Sequence, residues 1–146
     1  MSAPVQGRAV GPDATRSIEA AVHAFYEVLS GRAGEERDWD RLRSLFAGGA
    51  AIVPGSVVHG TSEPAAVDLE TYIRRFTEVL RRQDFFETGT IARLDVHGDI
   101  ASVVSAYEAR RTSGDGAPLK RGTALMHLVR AGDRWLLASM IWEDEG

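Results

Sequence analysis

Three turn clusters punctuate the second half of the chain: His97-Gly98-Asp99, Ser113-Gly114-Asp115-Gly116 and Ala131-Gly132-Asp133. Each is rich in residues that close hairpins, and together they leave four segments of strand length, roughly 85–96, 100–112, 119–130 and 134–143. Hairpins in sequence make an antiparallel meander. A chain of 146 residues is the size of one domain, so whatever precedes the meander must pack on it around a single core.

What precedes it is mostly helical. Residues 1–14, with Pro4, Gly7, Gly11 and Pro12, read as a flexible N-terminal arm, leaving 15–146 as the single domain. From Thr15, the apolar positions Ile18, Ala21, Val22, Phe25 and Leu29 recur at helical spacing, and Gly31 ends the run. Asp38 can cap a short second helix that buries Trp39, Leu42, Leu45 and Phe46, with Gly48-Gly49 as its stop. Ala50 to Val53 form a short strand halted by Pro54-Gly55. A third helix, from about Asp68 to Gln83, carries Leu69, Tyr72, Ile73, Phe76 and Leu80 on one stripe. Its other face offers Glu70–Arg74 and Glu78–Arg82 as pairs four residues apart. The order is α-α-β-α-β-β-β-β, an α+β fold with three helices on a bent antiparallel sheet.

The last segment, Trp135 to Trp142, is apolar at both parities instead of alternating. Three helices can cover one face of the sheet, so the other calls for a different cover, and a second copy of the sheet is the simplest. A homodimer through the convex sheet face is the expectation.

Composition removes several functions. The chain has no Cys, so disulfides, thiolate nucleophiles and Cys-based metal sites are excluded. A net charge of −4, with arginines interleaved among acids, argues against nucleic acid as a partner. No apolar run approaches a membrane span and the N-terminus lacks a secretion signal, so no membrane partner and a cytoplasmic location are expected. The four histidines, His23, His59, His97 and His127, share neither segment nor metal-site spacing, so no metal or other cofactor is expected. Gly48-Gly49 lacks the Lys and Ser/Thr of a phosphate loop, and no Gly-x-Ser-x-Gly elbow is present.

The element order, together with the stretches Leu42 to Val53, Ala101 to Arg111, Lys120-Arg121-Gly122 and Asp133-Arg134-Trp135 to Trp142-Glu143, resembles the nuclear transport factor 2-like superfamily, and within it the SnoaL-like proteins. The resemblance implies a cystatin-like, cone-shaped barrel with a pocket between helices and sheet. It marks fold better than chemistry, since the superfamily hosts isomerases, cyclases, dehydratases, hydrolases and pure binding modules. In ketosteroid isomerisation on this fold, an Asp base shuttles a proton while a Tyr and a protonated Asp form the oxyanion hole. The matching positions carry Phe25 for the tyrosine, Pro54 for the base and Met126 for the oxyanion Asp. That chemistry is therefore not implied for this chain, although Tyr26 would supply the hydroxyl if the first helix were rotated by one residue.

The same register puts Ala124, Met126, Leu128, Ala138, Met140 and Trp142 on the concave face, with Phe25, Trp39, Phe46, Phe76 and Phe86 completing an apolar pocket lining. These side chains either simply fill the core or line a residual cavity. Glu108 and Arg110 lie two apart and face one way. Pointing inward, they make a carboxylate–guanidinium pair able to orient or protonate a substrate. Pointing outward, they make a cross-strand ion pair with Lys120 or Arg121, and Val103, Ser105 and Tyr107 face the pocket instead. His59, in the irregular stretch before the third helix, is a further acid–base candidate, whereas His97 belongs to a turn and His127 to the convex face. The functional expectation is a dimeric pocket protein that binds a small, largely apolar molecule. One alternative is an isomerase-, cyclase- or dehydratase-type enzyme using Glu108, Arg110, Tyr26 or His59, and another is a non-catalytic dimerisation or interaction module.

Overall fold

The computed structural model describes residues 12–55, 65–111 and 117–145. His59 and the turn residues Ser113 to Gly116 lie outside the described residues, as does residues 1–11 of the arm. The described order is α1 (Pro12–Leu29), α2 (Trp39–Ser44), β1 (Phe46–Val53), α3 (Leu69–Arg82), β2 (Phe86–His97), β3 (Ile100–Arg110), β4 (Lys120–Ala131) and β5 (Arg134–Asp144). Helix α1 begins at Pro12, three residues before Thr15, because proline's fixed φ and missing N–H suit a first helical position. The side chain of Asp38 accepts from the Arg41 N–H, and that of Asp68 accepts from the Thr71 N–H, so both expected caps form.

The four C-terminal strands form the expected meander, and β1 adds to its far edge parallel to β5, giving the order β1-β5-β4-β3-β2. Two-residue turns at Gly98-Asp99 and Gly132-Asp133 close two of the hairpins, each with glycine at positive φ (60° and 66°), as a type II′ geometry requires. Gly48-Gly49 is not a helix stop. α2 ends at Ser44, and the pair lies inside β1, where Phe46 and Ala51 oppose Leu137 and Ser139. The intervening residues bulge out, and Gly49 supplies the φ of +75° that the bulge needs. Further bulges put one extra residue into β2 at Ala92 and one into β5 at Ala138, bending both strands.

The helices cover one face of this sheet. Ile18, Val22, Phe25, Tyr26 and Leu29 of α1 and Tyr72, Ile73 and Leu80 of α3 are buried against Ala101, Val103, Ser105, Tyr107 and Ala109 of β3 and Ala124, Met126 and Leu128 of β4. That settles the parity of β3: Glu108 and Arg110 are on the outer face. There the Arg110 Nη2 lies 2.7 Å from Glu108 Oε2, and Arg121 Nε lies 3.2 Å from Glu108 Oε1, a cross-strand cluster away from the pocket. In β5, the bulge at Ala138 turns Trp135 and Leu137 inward with Met140, so Ala138 itself is not part of a regular concave row. The acidic residues of α3 also choose other partners than expected. Glu70 takes a bidentate contact from Arg43 of α2 (2.9 Å), joining two elements, and Glu78 pairs with Arg81 (2.9 Å).

The outer face of β3, β4 and β5 carries two apolar rows. Val104, Leu125 and Ile141 are consecutive cross-strand neighbours, as are Ile100, Val129 and Leu136. Leu125 (49%), Ile141 (40%) and Ile100 (57%) are well exposed in the single chain. Between the rows lies the polar row Ser102, His127 and Ser139, in which the Ser139 hydroxyl is 3.3 Å from His127 Nδ1. No helix among the described residues is long and apolar enough to cross a membrane.

Candidate functional site

The site begins with how the end of α1 is tied to the start of β2. Gly31 and Phe85 exchange backbone hydrogen bonds of 2.7 and 2.9 Å. The Ser30 hydroxyl donates to the Tyr26 carbonyl (2.9 Å) and receives the Glu87 N–H (2.9 Å). The buried Arg37 guanidinium holds the other side of this junction through the carbonyls of Leu29, Arg32 and Glu35 (3.1, 2.8 and 2.7 Å). These contacts fix where Phe85 and Glu87 enter the sheet. Glu87 opposes Ala109, Gly89 opposes Tyr107 and Ile91 opposes Ser105, all inward-facing positions of β3. Glu87 is thus a carboxylate on the helix-covered face.

Around it, Phe25, Tyr26, Tyr72, Phe76, Phe85, Tyr107, Lys120, Ala124, Met140 and Trp142 enclose a chamber of about 20 Å³, room for roughly one water. Tyr72, Phe76, Phe85, Lys120 and Trp142 also line an adjoining vestibule of about 310 Å³, which adds Pro54, Arg75, Val79, Gln83, Leu119 and Asp144. The vestibule is within the size range of small-molecule sites. Its aromatic walls brace one another: Tyr72 stacks on Phe76 (5.5 Å) and meets Trp142 edge-on (5.6 Å), while Phe76 meets Phe85 edge-on (5.2 Å).

Two glycines make room for the phenols. A side-chain carbon at Gly89 would overlap the Tyr26 ring, and one at Gly122 would overlap the Tyr107 hydroxyl. Laid across these gaps, Tyr26 shares a hydrogen bond with the Ser105 hydroxyl (2.8 Å), and Tyr107 donates to Asp144 (2.5 Å). Lys120 Nζ lies 3.6 Å from Asp144 and about 6 Å from the Phe85 and Tyr107 ring centres (5.9 and 6.0 Å).

Burial dominates the electrostatics. Loss of water pushes the Glu87 carboxyl from an ordinary 4.5 up to about 7, with nearby Lys120 opposing the rise and the Asp144 charge adding to it. Burial also raises Tyr26, against the Ser105 hydrogen bond, and raises Tyr72 well above its usual range. Tyr107 rises by burial and because its proton is held by Asp144. The phenols therefore stay neutral at ordinary pH, and Glu87 is poised to change charge near neutrality.

Of the residues expected to line the pocket, Phe25, Phe76, Met140 and Trp142 do so, and Tyr26 joins them beside Phe25 without any rotation of α1. Met126 is fully buried beneath, paired with Met140 across the sheet. Phe46 packs behind Phe25 at 6.1 Å, and Trp39 borders a separate groove with Arg37, Thr77 and Leu80. Phe86 opposes Arg110 on the outer face, and its neighbour Phe85 takes the pocket position. Of the three positions matched to steroid isomerisation, Phe25 lines the chamber, Pro54 the vestibule, and Met126 lies below. Tyr107 faces the pocket as the outward reading of Glu108 and Arg110 expected, whereas Glu87, Lys120, Asp144 and Tyr72 are the site residues that sequence reasoning missed. Glu87 shares a parity row with Phe85, Gly89 and Ile91, but which face that row takes is set by the pairing of β2 with β3 and is not marked in the sequence.

No protein-family model matches the chain, and no curated protein matches it in sequence. Solved structures do match it in three dimensions. A cystatin-like fold protein of unknown function from Nostoc punctiforme superposes with a TM-score of 0.69 at 14% identity, covering 90% of this chain and 90% of that one. A candidate dehydratase of the NTF2-like family from Streptomyces avermitilis gives 0.66 at 19% identity, over 93% of this chain and 99% of that one. A candidate scytalone dehydratase from Novosphingobium aromaticivorans gives 0.66 at 15% identity, over 91% and 85%. At these identities the likeness is one of fold.

Proposed function

We propose that this chain, built on the nuclear transport factor 2-like fold, binds a small, largely apolar molecule in its pocket and moves a proton on it, with Glu87 as the acid–base group. The observation that carries this reading is the inward carboxylate of Glu87 at the bottom of an aromatic vestibule, with a raised pKa of about 7. A carboxyl of that pKa serves as base when ionised and as acid when protonated. The chamber is too small for a whole ligand, so the ligand body occupies the vestibule and only its reacting edge reaches Glu87. Isomerisation and dehydration both begin with such a transfer: a carboxylate removes a C–H proton next to a carbonyl, and the resulting carboxyl returns it to carbon or to a departing hydroxyl. Two solved structures of this fold are described as candidate dehydratases.

The test is hydrogen–deuterium exchange at the carbon next to the carbonyl of 2-tetralone, followed by NMR in D2O. The protein should accelerate exchange, with an apparent midpoint near pH 7, and Glu87→Gln should lower the rate by about 100-fold or more. Equal rates for the variant and the parent would remove Glu87 from this role. A second reading, binding without catalysis, draws on the apolar character of the remaining lining. In that case 2-tetralone would quench tryptophan fluorescence while exchange stayed at the solvent rate.

The proposal includes a second copy of the chain against the outer sheet face, where the exposed rows around Leu125 and Ile141 await cover. A dimer at micromolar concentration is the expected result of sedimentation, and joint Leu125→Glu and Ile141→Glu substitution should weaken it by about 100-fold or more. A monomeric parent would leave those rows to another purpose.

A further inference from the structure

The vestibule has a charge pattern that proton transfer does not use. Its walls are apolar at Pro54, Phe76, Val79, Leu119 and Trp142, and two cations stand among them, Arg75 from α3 and Lys120 from β4. The one acid among the described residues of the same lining, Asp144, is already occupied by the Tyr107 hydroxyl and by Lys120. Arg75 makes no ion pair or hydrogen bond with any described residue, whereas its neighbours Arg74 and Arg81 on the same helix do. When Glu87 is protonated, the described residues of the pocket mouth therefore carry Arg75 and Lys120 against Asp144, one positive charge in excess beside an apolar funnel.

From this placement we infer that the ligand is an amphipathic anion, with an apolar ring or chain inserted toward the aromatic chamber and a carboxylate held at the rim by Arg75 and Lys120. The inference rests on the reading of the pocket as a small-molecule site and adds the chemistry of the molecule. A planar guanidinium suits a carboxylate through paired N–H donors, and Lys120 contributes a second charge without needing to leave Asp144. The apolar walls explain why a simple inorganic anion would not suffice: such an ion would lose water beside Val79 and Leu119 and gain nothing from them.

Affinity should depend on pH through Glu87. The groups facing it are Tyr26 from α1, Tyr72 from α3, Tyr107 from β3, Lys120 from β4 and Asp144 from β5. Of these, the phenols stay neutral, so ionisation of Glu87 is the event that cancels the excess positive charge as pH rises through neutrality.

Calorimetric titration with 2-naphthylacetate and its neutral amide, at pH 6 and pH 8.5, tests this. The acid should bind about tenfold more tightly than the amide at pH 6, the preference should shrink at pH 8.5, and Arg75→Gln should bring the ratio to within about twofold of one. An amide that binds as well as the acid, or a ratio untouched by Arg75→Gln, would overturn the anionic ligand while leaving the pocket reading intact. Failure of both compounds to bind would overturn the pocket reading and this inference with it.

Discussion

Replacing Glu87 by glutamine should stabilise the protein at pH 8 and leave its stability nearly unchanged at pH 4. In the folded chain burial raises this carboxyl to about 7 from an ordinary 4.5, so the native state holds a proton that the unfolded chain has released between those values. Native stability from this group is full below about pH 4.5 and is lost as pH rises through about 7. The loss amounts to up to about 3 kcal/mol once both states are ionised. Glutamine has nearly the same shape and no charge to desolvate, so it keeps the packing of Phe85, Tyr26 and Tyr107 and avoids that cost. Urea denaturation of parent and variant across pH 4 to 9 measures it directly: the gap should open with a midpoint between the two pKa values. A constant gap would mean that the effect comes from packing and that Glu87 does not titrate in this range. A carboxylate that weakens its own fold at neutral pH is a liability in a purely structural position, which is why the same residue is assigned the proton-transfer role.

The fold was legible where local chemistry and tertiary packing agree. Gly98 and Gly132 mark turns that only glycine closes easily, and Asp68 marks a helix start whose N–H groups need a side-chain acceptor, so the boundaries of α3 and of the four meander strands fell within a residue or two of the expectation, while β1 begins four residues before the expected Ala50. The pocket residues legible in advance, Phe25, Phe76, Met140 and Trp142, lie on elements with an unambiguous phase. The phase of β2 and β3 was not recoverable. Phe85 and Phe86 are identical neighbours at the strand entrance, so neither marks the inner face, and the extra residue at Ala92 reverses parity with no sequence signal. In β3, Val104 and Ala106 on the outside are as apolar as Val103 and Ala109 on the inside. Glu108 and Arg110 were consequently open to either reading, and Glu87 was hidden. The pairing of β1 with β5 was equally silent, because a parallel edge depends on how α2 delivers Phe46 rather than on any turn motif. The roles of Gly89 and Gly122 lie further from sequence still, since each is defined by a tyrosine ring arriving from another element.

Gly122 gives the second large effect. A methyl group there would overlap both the Tyr107 hydroxyl and the main-chain carbonyl oxygen of Glu143. Tyr107 could yield only by breaking its bond to Asp144 within a buried setting, and the Glu143 carbonyl belongs to β5, paired with Thr123 in the sheet, so it cannot move alone. Gly122→Ala should therefore cost about 3 kcal/mol, at the upper end for an overpacked interior. That corresponds to a fall in Tm on the order of 10 °C. Gly48→Ala is the matched control: nothing lies within 4 Å of the added carbon and its φ is not positive, so its Tm should stay within about 2 °C of the parent. The pair separates a close approach specific to Tyr107 from a general intolerance of side chains at strand glycines. If Gly122→Ala melts with the parent, the tyrosine does not lie across that gap, and its hydrogen bond to Asp144 must be redrawn. If it melts low as expected, the shortened variant Tyr107→Phe combined with Gly122→Ala should recover part of the loss. Removing the hydroxyl takes away the nearest contact but leaves the ring carbon Cζ of residue 107 and the Glu143 carbonyl oxygen in overlap, so recovery should be small and incomplete.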